Sequence, residues 1–188
     1  MTGLTRTGFW YLRHGETDWN TRDLAQGSVE TKLNSNGLEQ AHAAAAALEG
    51  RGIVTMFSSP LGRARQTAEI VGNVIGLIPV IEYDLRETSY GVEEGFVMSG
   101  WFDDWVAGVS TPDGAESFED LSARAVGAVN RCVGAPGPVL IVSHGAFFRA
   151  LRAAMGLDRH VRTPNATPYW CSYGESGWEL TGIKLPSV

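Results

Sequence analysis

With 188 residues, 15 Lys and Arg against 21 Asp and Glu, a formal net charge of -6 and a pI near 5.2, the chain is long enough to bury a full hydrophobic core without metals or disulfides. Its 44% hydrophobic and 19% charged residues are those of an ordinary soluble globule, and its acidic field disfavours nucleic acid and anionic membranes as non-specific partners. Cys132 and Cys171 fit no zinc spacing and no disulfide framework, and no apolar run has signal-peptide or membrane-spanning length, so a cytoplasmic location is expected.

The first strong element is Thr7 to Leu12, an aromatic and apolar run fit for a buried strand. It delivers Arg13, His14 and Gly15 to its C-terminal end, where an open α/β sheet places its chemistry. A histidine there serves as ligand, base or nucleophile, and the adjacent guanidinium marks an anionic target. Residues 15–33 are polar, lack helical periodicity and read as a loop over the active face that carries Asn20, Gln26 and Gly27. Asn36 and Glu39 stand at capping-box spacing before an alanine-rich helix that Gly50 and Gly52 end. His42 in that helix has no acidic or histidine partner nearby in sequence and reads as a surface or packing residue.

Residues 53–58 form a second β-type run. Ser59 is expected to N-cap the next helix with Pro60 in its first turn, which puts Arg63 near the C-terminal edge of the sheet. That helix runs to about Gly76, and residues 77–81 read as a short strand whose Pro79 points to the sheet edge. Between 92 and 115, Phe96, Val97, Trp101, Phe102, Trp105 and Val106 have roughly helical spacing, bounded by Gly108 and by Thr111 to Gly114. Two readings of these aromatics stay open: they pack onto the domain, or Trp101, Phe102 or Trp105 lines a lid over the site. A helix follows from about 115 to 133, then the clearest buried strand, 137–142, ending at Ser143, His144 and Gly145. His144 alone reads best as a satisfied core histidine, yet it repeats the geometry of His14 before a helix over 146–155. The tail, 165–173 and 177–185, reads as two strands joined by a hairpin-like turn, and His160 as part of a solvated basic loop with Arg159 and Arg162, with a contribution to substrate binding as its second reading. No repeat or linker divides the chain, so one domain over 1–188 is expected.

Four blocks, Arg13-His14-Gly15-Glu16-Thr17 with Asn20, Ser59 to Ala68, Leu85-Arg86-Glu87, and Val142-Ser143-His144-Gly145, closely resemble the histidine phosphatase superfamily, the phosphoglycerate mutase-like proteins, in the same order. The resemblance spans roughly residues 7–152. It implies a three-layer α/β/α sandwich around a mostly parallel central sheet, with a variable lid or insertion at about 92–115. It implies His14 as the nucleophile, Glu87 as the proton donor, and Arg13, Arg63 and His144 around a phosphoryl group. The pattern picks Arg63, not Arg65, as the inward arginine. Asn20 and Gln26, with Gly27 and Gly145, match positions near the substrate.

The first reading is therefore a metal-independent phosphomonoesterase that needs no cofactor. Its partners would be a small phosphorylated substrate and inorganic phosphate as product, and a homodimer is compatible with the pattern. A phosphoglycerate mutase using the same phosphohistidine is second, a non-catalytic phosphate-binding module more remote, and a zinc hydrolase disfavoured because the flanking arginines repel a cation.

Overall fold

The computed structural model describes residues 3–183 and Leu185. In chain order the elements are β1 (Phe9–Arg13), α1 (Asp18–Thr21), α2 (Ser35–Leu48), β2 (Thr55–Ser58), α3 (Gly62–Ile75), β3 (Val80–Ile81), α4 (Gly100–Ala107), α5 (Phe118–Val133), β4 (Val139–Ser143), α6 (Gly145–Ala154), β5 (Pro168–Gly174) and β6 (Gly177–Gly182). The strands make one sheet in the order β3-β2-β4-β1-β5-β6. From β3 to β1 the pairing is parallel, and β5 and β6 join antiparallel beyond β1.

Both faces of the sheet are covered, which is why β1 and β4 read as unbroken apolar runs and are buried along their whole length. Side chains alternate between the faces. Leu12, Met56, Leu140 and Val142 pack with the alanines of α2 and α3 on one side. Phe9, Tyr11, Val139 and Ile141 pack with α5 and α6 on the other, with Tyr11 stacked on Phe148 at 4.0 Å. The result is the α/β/α layering expected from the sequence.

One close approach pins the loop after β1 onto α2. A Cβ on Gly37 would overlap the carbonyl oxygen of Glu16, and one on Gly15 would overlap the carbonyl of Gly37. Neither obstacle is a flexible side-chain end, so the backbones themselves would have to part. Gly37→Ala is expected to cost about 2–3 kcal/mol, lowering the melting temperature by roughly 5–10 °C. Gly50→Ala, with open space around it, probes only the cost of its positive φ and serves as the reference in the same thermal melts.

Several boundaries differ from expectation. Residues 15–33 are not all loop, because Thr17 caps the single turn α1: its hydroxyl accepts from the Asn20 amide at 3.2 Å while Asn20 Oδ1 accepts from the Thr17 amide at 3.1 Å. Four residues are too few to leave a period in the sequence. The N-cap of α2 is Asn34, not Asn36; Asn36 instead donates to Glu16 Oε1 at 3.0 Å. Helix α3 begins at Gly62, later than a cap at Ser59 implies, and its N-cap position, Leu61, has no side-chain cap bond. The second tail strand ends at Gly182, short of the expected Leu185, and Lys184 within that span lies outside the described residues.

Candidate active site

Parallel strands β1, β4 and β2 end at the same edge of the sheet, and the residues just past their C-termini meet there. His14 follows β1, Ser59 follows β2 and His144 follows β4. The amide of His14 donates to the Ser143 carbonyl and that of Ser59 to the Val142 carbonyl, each at 3.0 Å, so the ladder extends into the site. The two imidazoles are neighbours, with ring centroids 5.3 Å apart and planes tilted by 58°. A cleft of about 380 Å³ opens onto Arg13, His14, Asn20, Gln26, Arg63 and Glu87.

Each group is held by specific partners. His14 Nδ1 lies 2.7 Å from the Gly15 carbonyl oxygen, which can only accept, so Nδ1 carries the proton and Nε2 keeps its lone pair. The His14 carbonyl accepts from Asn165 Nδ2 at 3.0 Å, and the same amide group reaches Asn20 Oδ1 at 3.2 Å, fixing Asn20 beside the histidine. His144 Nε2 meets Ser59 Oγ at 2.6 Å, while the Tyr11 hydroxyl donates to the His144 carbonyl at 2.7 Å and accepts from its amide at 3.1 Å.

Arg13 donates to the Thr163 carbonyl at 2.6 Å. Arg63 donates to the carbonyls of Gly27 and Val29 at 2.8 and 2.9 Å, which ties the loop after α1 to the first turn of α3. Gly145 belongs to the same packing, since a Cβ there would press on the Arg13 guanidinium at 3.3–3.4 Å. Arg13 Nε, Arg63 Nε and His144 Nδ1 are buried and have no hydrogen-bond partner among the described residues. Gln26 lines the cleft with its Oε1 accepting from the Thr31 hydroxyl at 2.7 Å.

Glu87 caps α6 from outside the helix. Its carboxylate accepts from the amides of Ala146 and Phe147, both at 3.0 Å, and of Thr88 at 3.2 Å. Those of Ala146 and Phe147 are the free N–H groups of a helix N-terminus, where negative charge is favoured, and the N-cap residue His144 supplies no side-chain bond of its own. Arg124 clamps the Glu87 segment, donating to the carbonyls of Asp84 and Arg86 at 2.7 and 2.9 Å while forking onto Glu116 at 2.6–2.7 Å.

Electrostatically the cleft is built for an anion. Burial, then the charges of Arg63 and Arg13, hold the His14 imidazole well below the usual histidine range. Burial, then Arg63, His14 and Arg13, do the same to His144. Burial lowers Arg13 to about 10 and Arg63 in the same direction, and both remain guanidinium cations at neutral pH.

These shifts predict a stability profile. The unfolded chain takes up protons on its histidines near pH 6.5, whereas His14 and His144 stay neutral in the fold, so the unfolded state binds more protons on acidification. Stability is fully present above about pH 6.5 and is lost as pH falls below it, by up to about 1.4 kcal/mol per pH unit for each of the two imidazoles. Urea midpoints in phosphate-free buffer should therefore fall between pH 7 and 5.5. A flat midpoint over that window would contradict the assignment.

The structure brings together all the sequence-predicted residues, Arg13, His14, Asn20, Gln26, Gly27, Arg63, Glu87, His144 and Gly145. His42 and His160 are exposed, and Arg65 is a surface residue 3.6 Å from Glu69. The aromatic readings divide by residue: Trp105 is fully buried in the core, whereas Phe102 lines the cleft. Sequence reasoning missed Ser59 as a partner of His144, together with Tyr11, Arg124 and Asn165. Ser59 carried a signal, since it stands in the Arg63 block, but the pattern of a serine before a proline pointed to a cap. No group of three His, Cys, Asp or Glu side chains among the described residues is arranged to hold a metal ion, and no helix among them is long and apolar enough to cross a membrane.

Comparison with known proteins agrees with this geometry. The family described as the histidine phosphatase superfamily (branch 1) matches residues 9–185. A protein of Yersinia pestis (strain Pestoides F) named probable phosphoglycerate mutase GpmB is 34% identical, the match covering 95% of this chain and 91% of that protein. Among solved structures, the mycobacterial glucosyl-3-phosphoglycerate phosphatase Rv2419c complexed with VO3 superposes with a TM-score of 0.83 at 32% identity, over 95% of this chain and 99% of the other. The structure of TTHB049 from Thermus thermophilus gives a TM-score of 0.77 at 28% identity, over 96% and 100%. Fold, ordered blocks and family match converge: the chain belongs to the histidine phosphatase superfamily and is an enzyme of the histidine phosphatase type.

Proposed function

We propose that the protein hydrolyses a small phosphomonoester through a phosphohistidine on His14, without a metal ion. The observation that carries this reading is the His14 imidazole, buried, neutral and proton-bearing at Nδ1, on a cleft it shares with two buried guanidinium groups. Nε2 attacks phosphorus in line and the ester P–O bond breaks; Glu87 relays the proton that the ester brings as its monoanion to the departing alkoxide oxygen. Water then attacks the phosphohistidine, Glu87 takes a proton from it, the P–N bond breaks and inorganic phosphate leaves. Arg13 and Arg63 stabilise the charge on the equatorial oxygens, work that magnesium does in other phosphoryl transfers. Asn20, Gln26, Gly27 and Gly145 shape the pocket around the substrate, and His144 donates to the transferring group. The two cysteines are buried thiols without a disulfide, in keeping with a cytoplasmic protein.

A phosphoglycerate mutase is the second reading, favoured by the name of the Yersinia relative. It uses the same phosphohistidine but returns the phosphoryl group to another hydroxyl of the substrate. The short segment around α4 supports hydrolysis, since it adds only eight helical residues over the cleft. The deciding experiment follows release of inorganic phosphate from a panel of phosphorylated metabolites beside interconversion of 2- and 3-phosphoglycerate. Phosphate release supports the first reading, and interconversion with little release the second. Tight phosphate retention without either reaction would leave only a binding module.

A further inference from the structure

Ser59 and His144 meet where β2 and β4 end side by side. The Ser59 amide donates to the Val142 carbonyl at 3.0 Å, which brings its side chain to the residue that follows Ser143. Both residues are fully buried. Ser59 Oγ lies 2.6 Å from His144 Nε2, while the Tyr11 hydroxyl grips both the amide and the carbonyl of His144. Ring and backbone are thus held by separate partners.

The direction of the short bond follows from what else the serine does. Ser59 Oγ already accepts from the Leu61 amide at 3.2 Å, and its own proton needs an acceptor. Among the described residues His144 Nε2 is the acceptor it meets. The hydroxyl therefore donates, Nε2 accepts, and the one proton of the neutral ring sits on Nδ1. Burial, then the charge of Arg63, keeps that ring neutral. The Nδ1–H group is buried with no acceptor among the described residues, a state it shares with Arg13 Nε and Arg63 Nε. Buried donors are nearly always paired. Three unpaired ones on residues around His14, whose ring centroid is 5.3 Å from that of His144, are donors kept for the oxygens of an anion.

We propose that Ser59 is a positioning residue: by donating to Nε2 it locks His144 in the Nδ1–H tautomer and so keeps Nδ1–H as a donor to the transferring phosphoryl group. In the other tautomer Nδ1 would turn a lone pair on the same oxygens and repel them, so the serine decides between attraction and repulsion at an unchanged ring position. The inference rests on the phosphatase-or-mutase reading of the same cleft.

Heteronuclear NMR of the imidazole nitrogens reads the tautomer directly, and with four histidines in the chain the His144 signals are assigned by their loss in His144→Ala. The wild-type protein is expected to show His144 protonated at Nδ1 and bare at Nε2. Ser59→Ala should lose that single-tautomer signature, and Ser59→Thr, which restores a hydroxyl, should keep it. On an aryl phosphate Ser59→Ala should lower kcat by about 10-fold or more, short of the roughly 10²–10³-fold loss of a whole preorganised donor because the correct tautomer stays reachable. Ser59→Thr should recover most of that rate. Added to His144→Ala, Ser59→Ala should lower kcat no further, since the serine acts only through the ring. Where the alanine variant does not fold, Ser59→Cys, whose thiol is only a weak donor, makes the same comparison. A wild-type ring protonated at Nε2, a tautomer unmoved by Ser59→Ala, or losses that add in the double variant overturn the proposal. A protein with the expected signature that turns over no phosphomonoester keeps the lock and refutes the catalytic reading; one that turns over esters with His144 protonated at Nε2 keeps the chemistry and refutes the lock.

Discussion

Replacing His14 with alanine is expected to lower kcat on an aryl phosphate by at least about 10⁴-fold, the scale seen when a covalent nucleophile is removed. The size of the loss follows from what the imidazole does. Its Nε2 lone pair is available because Nδ1 donates to Gly15 and because burial and two arginines keep the ring neutral. Among the described residues no other imidazole offers a free lone pair there: His144 has its Nε2 held by Ser59 at 2.6 Å. Rapid-quench trapping provides the matching readout, since the wild-type enzyme should hold an acid-labile, base-stable phosphoryl group that the variant lacks. A variant retaining more than about 1% of activity would remove His14 from the role of nucleophile.

Arg63→Met is the second change with a large expected effect, and it acts on both rate and stability. The lost cation stabilises charge that develops on the transferring phosphoryl group, which is worth roughly 10²–10³-fold in kcat for one preorganised donor. The same side chain also holds the carbonyls of Gly27 and Val29, which methionine leaves without their donor. Buried acceptors deprived of partners cost about 1–3 kcal/mol each, partly offset because a buried charge no longer has to be desolvated. The net loss should be about 1–3 kcal/mol, or a fall of roughly 3–10 °C in melting temperature. Arg65→Ala, two positions along the same helix, is the comparison. Its pair with Glu69 is exposed, so stability should move by less than about 0.5 kcal/mol and activity hardly at all. If the two variants behaved alike, the assignment of the inward arginine would fail.

The same pair shows what could be read in advance. Arg63 and Arg65 have similar neighbours, and only the pattern of the surrounding block separates them; nothing in local propensity does. The parallel strands were legible because burial on both faces leaves runs such as Val139 to Val142 nearly free of polar residues. Edge strand β3, with Val80 and Ile81 exposed, was betrayed by Pro79. Contacts between segments distant in sequence were not legible. The bonds of Tyr11 to His144, Arg124 to the Glu87 segment and Asn165 to the His14 carbonyl each join segments far apart along the chain, and no periodicity encodes them. Helix α1 was lost for the opposite reason, because a single capped turn is too short to have a period.

The order of strands has a cost during synthesis. Among the described residues strand β1 pairs only with β4 and β5, so the earliest of these six strands to be synthesised is the one that waits longest for neighbours. At about 5–20 residues per second, Phe9, Trp10, Tyr11 and Leu12 stay unpaired for on the order of ten seconds. A nascent chain stalled before β4 therefore presents this aromatic segment to chaperones and to aggregation alike, however stable the finished protein is.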